Sequence, residues 1–158
     1  MDAETRLEAP TVAHKRELRL WLRLLACTRL IETEIRRRLR EEFDVTLPRF
    51  DLMAQLEKAP GGMTLGEVSR RMMVSNGNVT GLVERLASQG LVERAADPSD
   101  RRATLIRLTA EGRRAFARMA RAHEGWIAEI FAGLAVGETD ELMDLLGRTK
   151  ASAAAASG

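Results

Sequence analysis

Tyrosine is absent from this chain, cysteine occurs once, and aromatic residues make up only 4% of it. Each scarcity removes a class of explanation. A lone cysteine, Cys27, excludes an intrachain disulfide and any cysteine-rich zinc site. The two histidines, His14 and His123, lie far apart, and no spacing matches a zinc-ligand set. No nucleophile–base pairing or glycine-rich phosphate loop stands out, so neither catalysis nor a cofactor is expected. No apolar run reaches about 18 residues, so no membrane-spanning helix is expected. Met1, Asp2, Ala3 and Glu4 lack the basic-then-apolar layout of a signal peptide, which points to the cytoplasm. A net charge of +2 on 158 residues does not announce a nucleic-acid partner by itself.

What is present is a soluble, globular balance: 45% hydrophobic and 30% charged residues. Residues 1–12 read as a frayed arm. From about 13 to 42 the pattern is helical, with Leu18, Leu22, Leu25, Cys27, Ile31, Ile35 and Leu39 at helical spacing. The stripe drifts around the helix, so more than one neighbour is expected. Pro48 suits the first turn of a second helix bearing Phe50, Met53, Ala54 and Leu56. Ala59-Pro60-Gly61-Gly62 ends it. Thr64 and Glu67 have capping-box spacing for a short helix over about 65–72. After a turn near Met73-Val74, Ser75 can cap the next helix, which runs to about Gln89, with Gly90 at its left-handed end.

That pair of helices has the dimensions of a helix-turn-helix. Two β-like runs follow, Leu91–Arg94 and Thr104–Leu108, around a turn that carries Asp97, Pro98, Ser99, Asp100, Arg101 and Arg102. Thr109 can cap a long helix over about 110–134 with the stripe Phe116, Met119, His123, Ile127, Ile130 and Leu134. Gly137 is expected to break it. A last helix is expected to start at Thr139 or Asp140 and to bear Leu142, Met143, Leu145 and Leu146. The tail Ala151–Gly158 is low-complexity and reads as loose.

The expected fold is therefore mostly α: a winged helix-turn-helix with a small β-hairpin wing between long N- and C-terminal helices. A helix laid in the major groove reads base edges from its exposed N-terminal face. Here that face holds Ser75, Asn76, Gly77, Asn78, Thr80, Gly81 and Arg85. Asparagine can bond adenine at two points, and Gly77 and Gly81 let backbone approach closely. Arg101 and Arg102 at the wing tip can reach phosphates or the negative minor groove. Asp100 is expected to orient one arginine or to stabilise the turn. From Glu67 to Arg114 nine arginines face six acids, a local excess that the whole-chain average dilutes.

The block TLGEVSRRMMVSNGNVTGLVERLASQGLVERAADPSDRRATLIRLTAEGR resembles the MarR family of winged-helix transcriptional regulators, above all in DPSDRRA followed by LTAEG. The flanking long helices match as well. The resemblance implies a homodimer that binds a near-palindromic operator in double-stranded DNA, with repression relieved by a small ligand. It divides the chain into an N-terminal arm and dimerisation helix (1–46), a winged helix-turn-helix DNA-binding domain (47–109), and C-terminal dimerisation helices with a loose tail (110–158). One departure is Gly81, where many members carry a basic residue. That shifts the expected readout toward Asn76, Asn78 and Arg85.

The segments LWLRLLACTRLIETEIRRRLREEF and LPRFDLMAQLE are similar to the branch that controls aromatic-acid catabolism. That likeness implies an effector that is an aromatic acid or its coenzyme A thioester. Its pocket would be lined by Trp21, Leu24, Cys27, Thr28, Ile31, Phe50, Met53 and Met63. Arg29, Arg36 or Arg38 would hold a carboxylate or phosphates. Two alternatives stand beside this reading. Some relatives sense peroxide through a cysteine on the first helix, but Cys27 lies on an apolar stripe with no tyrosine to activate it, so a core role is expected. A winged helix can also serve solely as a protein-interaction module. For His123, on an apolar stripe, a core or interface role is expected.

Overall fold

A computed structural model describes residues 12–158. The expected frayed arm lies outside the described residues, apart from Val12. The chain runs α1 (Val12–Phe43), α2 (Leu47–Glu57), β1 (Met63–Thr64), α3 (Leu65–Met72), α4 (Asn76–Ser88), β2 (Val92–Asp97), β3 (Asp100–Leu108), α5 (Ala110–Ile130) and α6 (Val136–Ala156). Among the described residues no helix is long and apolar enough to cross a membrane.

Short-range signals set most helix starts. Thr46 caps α2, with Pro48 in its first turn, where a missing N–H costs nothing. Thr64 and Glu67 form a reciprocal capping box at α3, with bonds of 3.2 and 3.1 Å. The Ser75 side chain accepts the Asn78 N–H at 3.2 Å, and Thr109 accepts the Gly112 N–H at 2.9 Å. Each such cap contributes about 1 kcal/mol. Gly90, at φ 74°, ends the α4 segment in the left-handed region that a side chain disfavours.

The core lies between α2, α3, α4 and the inner face of the sheet, closed on one side by α5 and the second half of α1. Leu39, Leu52, Met53, Leu56, Val68, Val79, Val83 and Leu86 are essentially inaccessible to solvent. Each such burial stabilises by about 1.5–3 kcal/mol. Phe50 stacks between Phe116 and His123, with centroids 5.5 and 4.9 Å away, and Trp126 meets Phe43 at 6.1 Å. Partial burial lowers the pKa of His123 below its ordinary value.

Several expectations need correction. The sheet has three strands in the order β1-β3-β2, because Met63 and Thr64 pair with Ile106 and Leu105. Two residues are too few to show alternation. The wing strands extend almost to the tip, so Asp100, Arg101 and Arg102 belong to β3, and Pro98-Ser99 makes the turn. Helix α5 stops at Ile130, earlier than expected. Gly137 breaks nothing, since α6 starts at Val136 and holds Gly137 in its first turn. Neither Thr139 nor Asp140 starts that helix. Glu138 instead accepts the free Ala135 N–H at 2.9 Å. The tail is helical through Ala156, as its alanine content favours once α6 supplies the nucleus. Cys27 is exposed rather than core, because the drifting stripe turns away from the packed half of α1.

Candidate nucleic-acid interface

Helices α3 and α4 are held at a fixed angle by the turn between them. The buried Ser69 hydroxyl donates to the Val74 carbonyl, and the Met73 N–H bonds the Arg70 carbonyl at 3.3 Å. Met73 takes φ 57°, a conformation that a non-glycine residue adopts only under constraint. Val79, Val83 and Leu86 anchor α4 in the core, which turns the opposite face outward. Ser75, Asn76, Gly77, Asn78, Gly81 and Arg85 are all exposed there. Nothing beside Gly77 or Gly81 would crowd a close approach. Two hydroxyls of the set have structural duties. Ser75 caps the helix, and the half-buried Thr80 donates to the Asn76 carbonyl at 2.9 Å. That leaves the amides of Asn76 and Asn78 as the free hydrogen-bonding groups of the first turn.

The wing is regular from Val92–Leu108 to Ala96–Thr104, then shifts to Asp97–Asp100. Arg101, Arg102 and Ala103 therefore have no cross-strand partners and form a bulge at the tip. The turn is built by carboxylates. Asp97 accepts from the Ser99 N–H and hydroxyl at 2.9 and 2.8 Å, which hold its pKa below the ordinary value. Asp100 accepts the Arg102 N–H at 2.9 Å. So Asp100 acts on backbone rather than on a guanidinium. Arg101 and Arg102 are exposed and have no ion-pair partner among the described residues. Arg107 differs, since Glu93 directly across the ladder binds it at 2.8 Å. Sequence reasoning passed over Arg94. It is exposed and unpaired among the described residues, and with Thr80 and Thr104 it lines a cleft of about 180 Å³ between α4 and the wing. Its place next to Glu93, on the opposite face of a strand, was the available signal.

The residues expected to hold an effector are spread out. Phe50 and Met53, like Met63, are closed into the core. Trp21, Cys27, Thr28 and Arg29 are exposed, and Ile31 is half-buried. Leu24 lines a groove of about 570 Å³ between α1 and α6, with Leu20, Leu142, Leu145 and Leu146. Arg36 lies 3.7 Å from Glu32. Arg38 is engaged by Glu34 at 2.7 Å and by Glu129 of α5 at 2.6 Å. Arg37 and Arg38 together hold the Glu34 carboxyl down at about 2.

A family model described as "MarR family" matches residues 43–103, from the end of α1 into the wing. The uncharacterized HTH-type transcriptional regulator YsmB of Bacillus subtilis (strain 168) is 32% identical over 95 residues, 60% of this chain. The match spans 64% of YsmB, a little under two thirds of its length. The crystal structure of a MarR family transcriptional regulator from Silicibacter pomeroyi is 31% identical, with a TM-score of 0.77 over 90% of this chain and 99% of that one. A variant of MarR from E. coli, solved in complex with operator DNA, shares the fold at 23% identity, with a TM-score of 0.74 over 85% of this chain and 95% of that one. Sequence and fold agree along nearly the whole described chain, and this protein belongs to the MarR family of winged-helix transcriptional regulators.

Proposed function

We propose that this chain binds double-stranded operator DNA as a homodimer and represses transcription until a small organic effector releases it. The wing tip carries the reading: two unpaired arginines on a bulge whose backbone is pinned by Asp97 and Asp100. A bulge fixed by its own carboxylates, with cations projecting from it, suits a phosphate or minor-groove contact. The E. coli relative of the same fold was solved on operator DNA, which supports the same use here. In this reading residues 47–109 form the DNA-binding part. Asn76, Asn78 and Arg85 read bases in the major groove, and Arg101 and Arg102 contact the flanking backbone.

The dimer is inferred from apolar surface. Leu18, Leu20, Trp21 and Leu22 on α1, and Leu142, Met143, Leu145 and Leu146 on α6, are exposed in the single chain. Such a surface calls for a partner, and a second copy would place two recognition helices about 34–36 Å apart, one turn of DNA. The effector class, an aromatic acid or its coenzyme A thioester, follows from the resemblance in α1 and α2. A redox switch through Cys27 has an exposed thiol in its favour, but no neighbouring hydrogen bond supports it.

The test is gel retardation with DNA from upstream of the gene. Retardation should fall steeply as salt rises, because phosphate contacts release counterions. Asn78→Ala should lose about 1–3 kcal/mol of preference for operator over random DNA. If no duplex is retarded even in dilute buffer, the regulator reading is wrong.

A further inference from the structure

One large apolar side chain stands in water outside the flanking helices. Met73, in the turn between α3 and α4, is 91% exposed. The other exposed large hydrophobics among the described residues lie on α1 or between Phe131 and Leu146. Met73 is therefore no part of the surface assigned above to a second copy. It is the middle of three consecutive apolar residues, Met72, Met73 and Val74. Its two neighbours pack against the core, and Met73 alone turns outward. The turn that does this is fixed. The Met73 and Val74 N–H groups donate to the Arg70 and Ser69 carbonyls at 3.3 and 3.2 Å, and the Ser69 hydroxyl donates to the Val74 carbonyl.

An exposed apolar residue is ordinary on a protein surface. This one is held at a conformational cost. Its φ of 57° lies in the left-handed region, where glycine or asparagine is the residue of least strain. Either would make the same turn without exposing an apolar side chain. The position matters as well. Met73 stands two residues before Ser75, the cap of α4, and leads directly into the exposed first turn that carries Asn76 and Asn78. A recognition helix meets the base edges of the major groove with its N-terminal residues, so the turn before it stands at the edge of that groove.

We infer that Met73 reads a thymine of the operator by packing its thioether on the C5 methyl. Thymine alone presents an apolar group in the major groove. The inference rests on the DNA-binding reading above and adds to it a base contact outside α4. Methionine suits the task. Its unbranched, flexible side chain can reach from the turn to the base, whereas a β-branched residue would strain the positive φ further. The contact removes two apolar groups from water at once, and cytosine in the same place offers no methyl to cover. Asn76 and Asn78 can each bond adenine at two points, so a half-site read by all three residues joins a thymine to adenine.

The test is gel retardation of the full chain on DNA from upstream of the gene, beside the same DNA made with deoxyuridine in place of thymidine. That replacement removes only the C5 methyl groups. Wild type should bind the deoxyuridine DNA more weakly, by about fourfold for each half-site, the ratio that burial of one methyl-sized group gives. Met73→Asn tolerates the positive φ and brings no apolar group to the base. Its preference for thymidine DNA should shrink by that same factor. Met73→Leu keeps an apolar side chain and should keep most of the preference. Methyl contacts made by other residues, and any effect of the missing methyls on DNA shape, are shared by wild type and variant and cancel in the comparison. Circular dichroism checks that the variants fold, and Met73→Gln replaces the asparagine variant if it does not. Equal binding of both DNAs by wild type, or an undiminished preference in Met73→Asn, overturns the contact while the regulator reading stands. If wild type retards neither DNA even in dilute buffer, the regulator reading falls and the contact falls with it.

Discussion

The segment from α2 through the wing and the helices that flank it solve the burial problem in opposite ways. Between Phe50 and Leu108 the large apolar residues are mostly buried, apart from Met73 at the helix-turn-helix turn. In the first half of α1 and along α6 most large apolar residues stay exposed, and α6 buries none of its side chains. The middle segment therefore holds its own core, whereas the flanks carry hydrophobic surface that one copy of the chain leaves uncovered. Helices of 32 and 21 residues need a packed face to be stable in water, so the flanks are incomplete units rather than independent ones.

That contrast can be broken at either end. The largest effect is expected in the middle. Leu52→Ala should cost about 2–5 kcal/mol of unfolding free energy, read from urea denaturation monitored by tryptophan fluorescence. A smaller loss would mean that the core is looser than the burial indicates. Next comes the flank. Leu20→Asp should turn the proposed dimer into monomers by sedimentation and keep its helix content. Losing the second recognition helix should weaken operator binding by about 100-fold. A variant that stays dimeric would place the interface elsewhere. Third, Arg102→Ala should weaken binding to every DNA sequence and reduce the salt slope by about one. Unchanged binding would remove the wing tip from the interface.

The smallest effect concerns pH. Burial lowers the His123 pKa from its ordinary 6.5, so the unfolded chain takes up this proton before the folded one does. The neutral ring costs nothing above 6.5. Stability should then decline as pH falls through that value toward the lowered folded one. Replacing His123 with Phe, which keeps a ring against Phe50, should flatten that decline in pH-dependent denaturation. An unaltered pH profile would assign the acid sensitivity to other groups.

How much was legible depended on range. The helix-turn-helix was legible because its signals act over three or four residues: the Thr64–Glu67 box, the Ser75 and Thr109 caps, and Gly90. The wing strands were legible in position but not in length, since a bulge carrying Arg101 and Arg102 has no local signature. The end of α5 and the start of α6 were not legible, because Gly137 has the local signature of a breaker and yet is tolerated in a first turn. The residues expected to hold an effector were the least legible. Periodicity assigns Trp21, Leu24, Cys27, Thr28 and Ile31 to one helix and Phe50 and Met53 to the next, but it does not say which turns of either helix have a neighbour.

The order of amino acids alone decided where α2, α3, α4 and α5 begin, that two of them make a helix-turn-helix, and that arginines crowd a hairpin tip. Those are consequences of caps, side-chain period and turn chemistry, which operate within a few residues. Tertiary structure alone decided that Cys27 faces solvent, that Met63 and Thr64 join the sheet, and that Glu129 reaches Arg38 across 91 positions of sequence. Those outcomes depend on which surfaces meet when the core closes, and contacts between distant segments leave no pattern in either segment taken by itself.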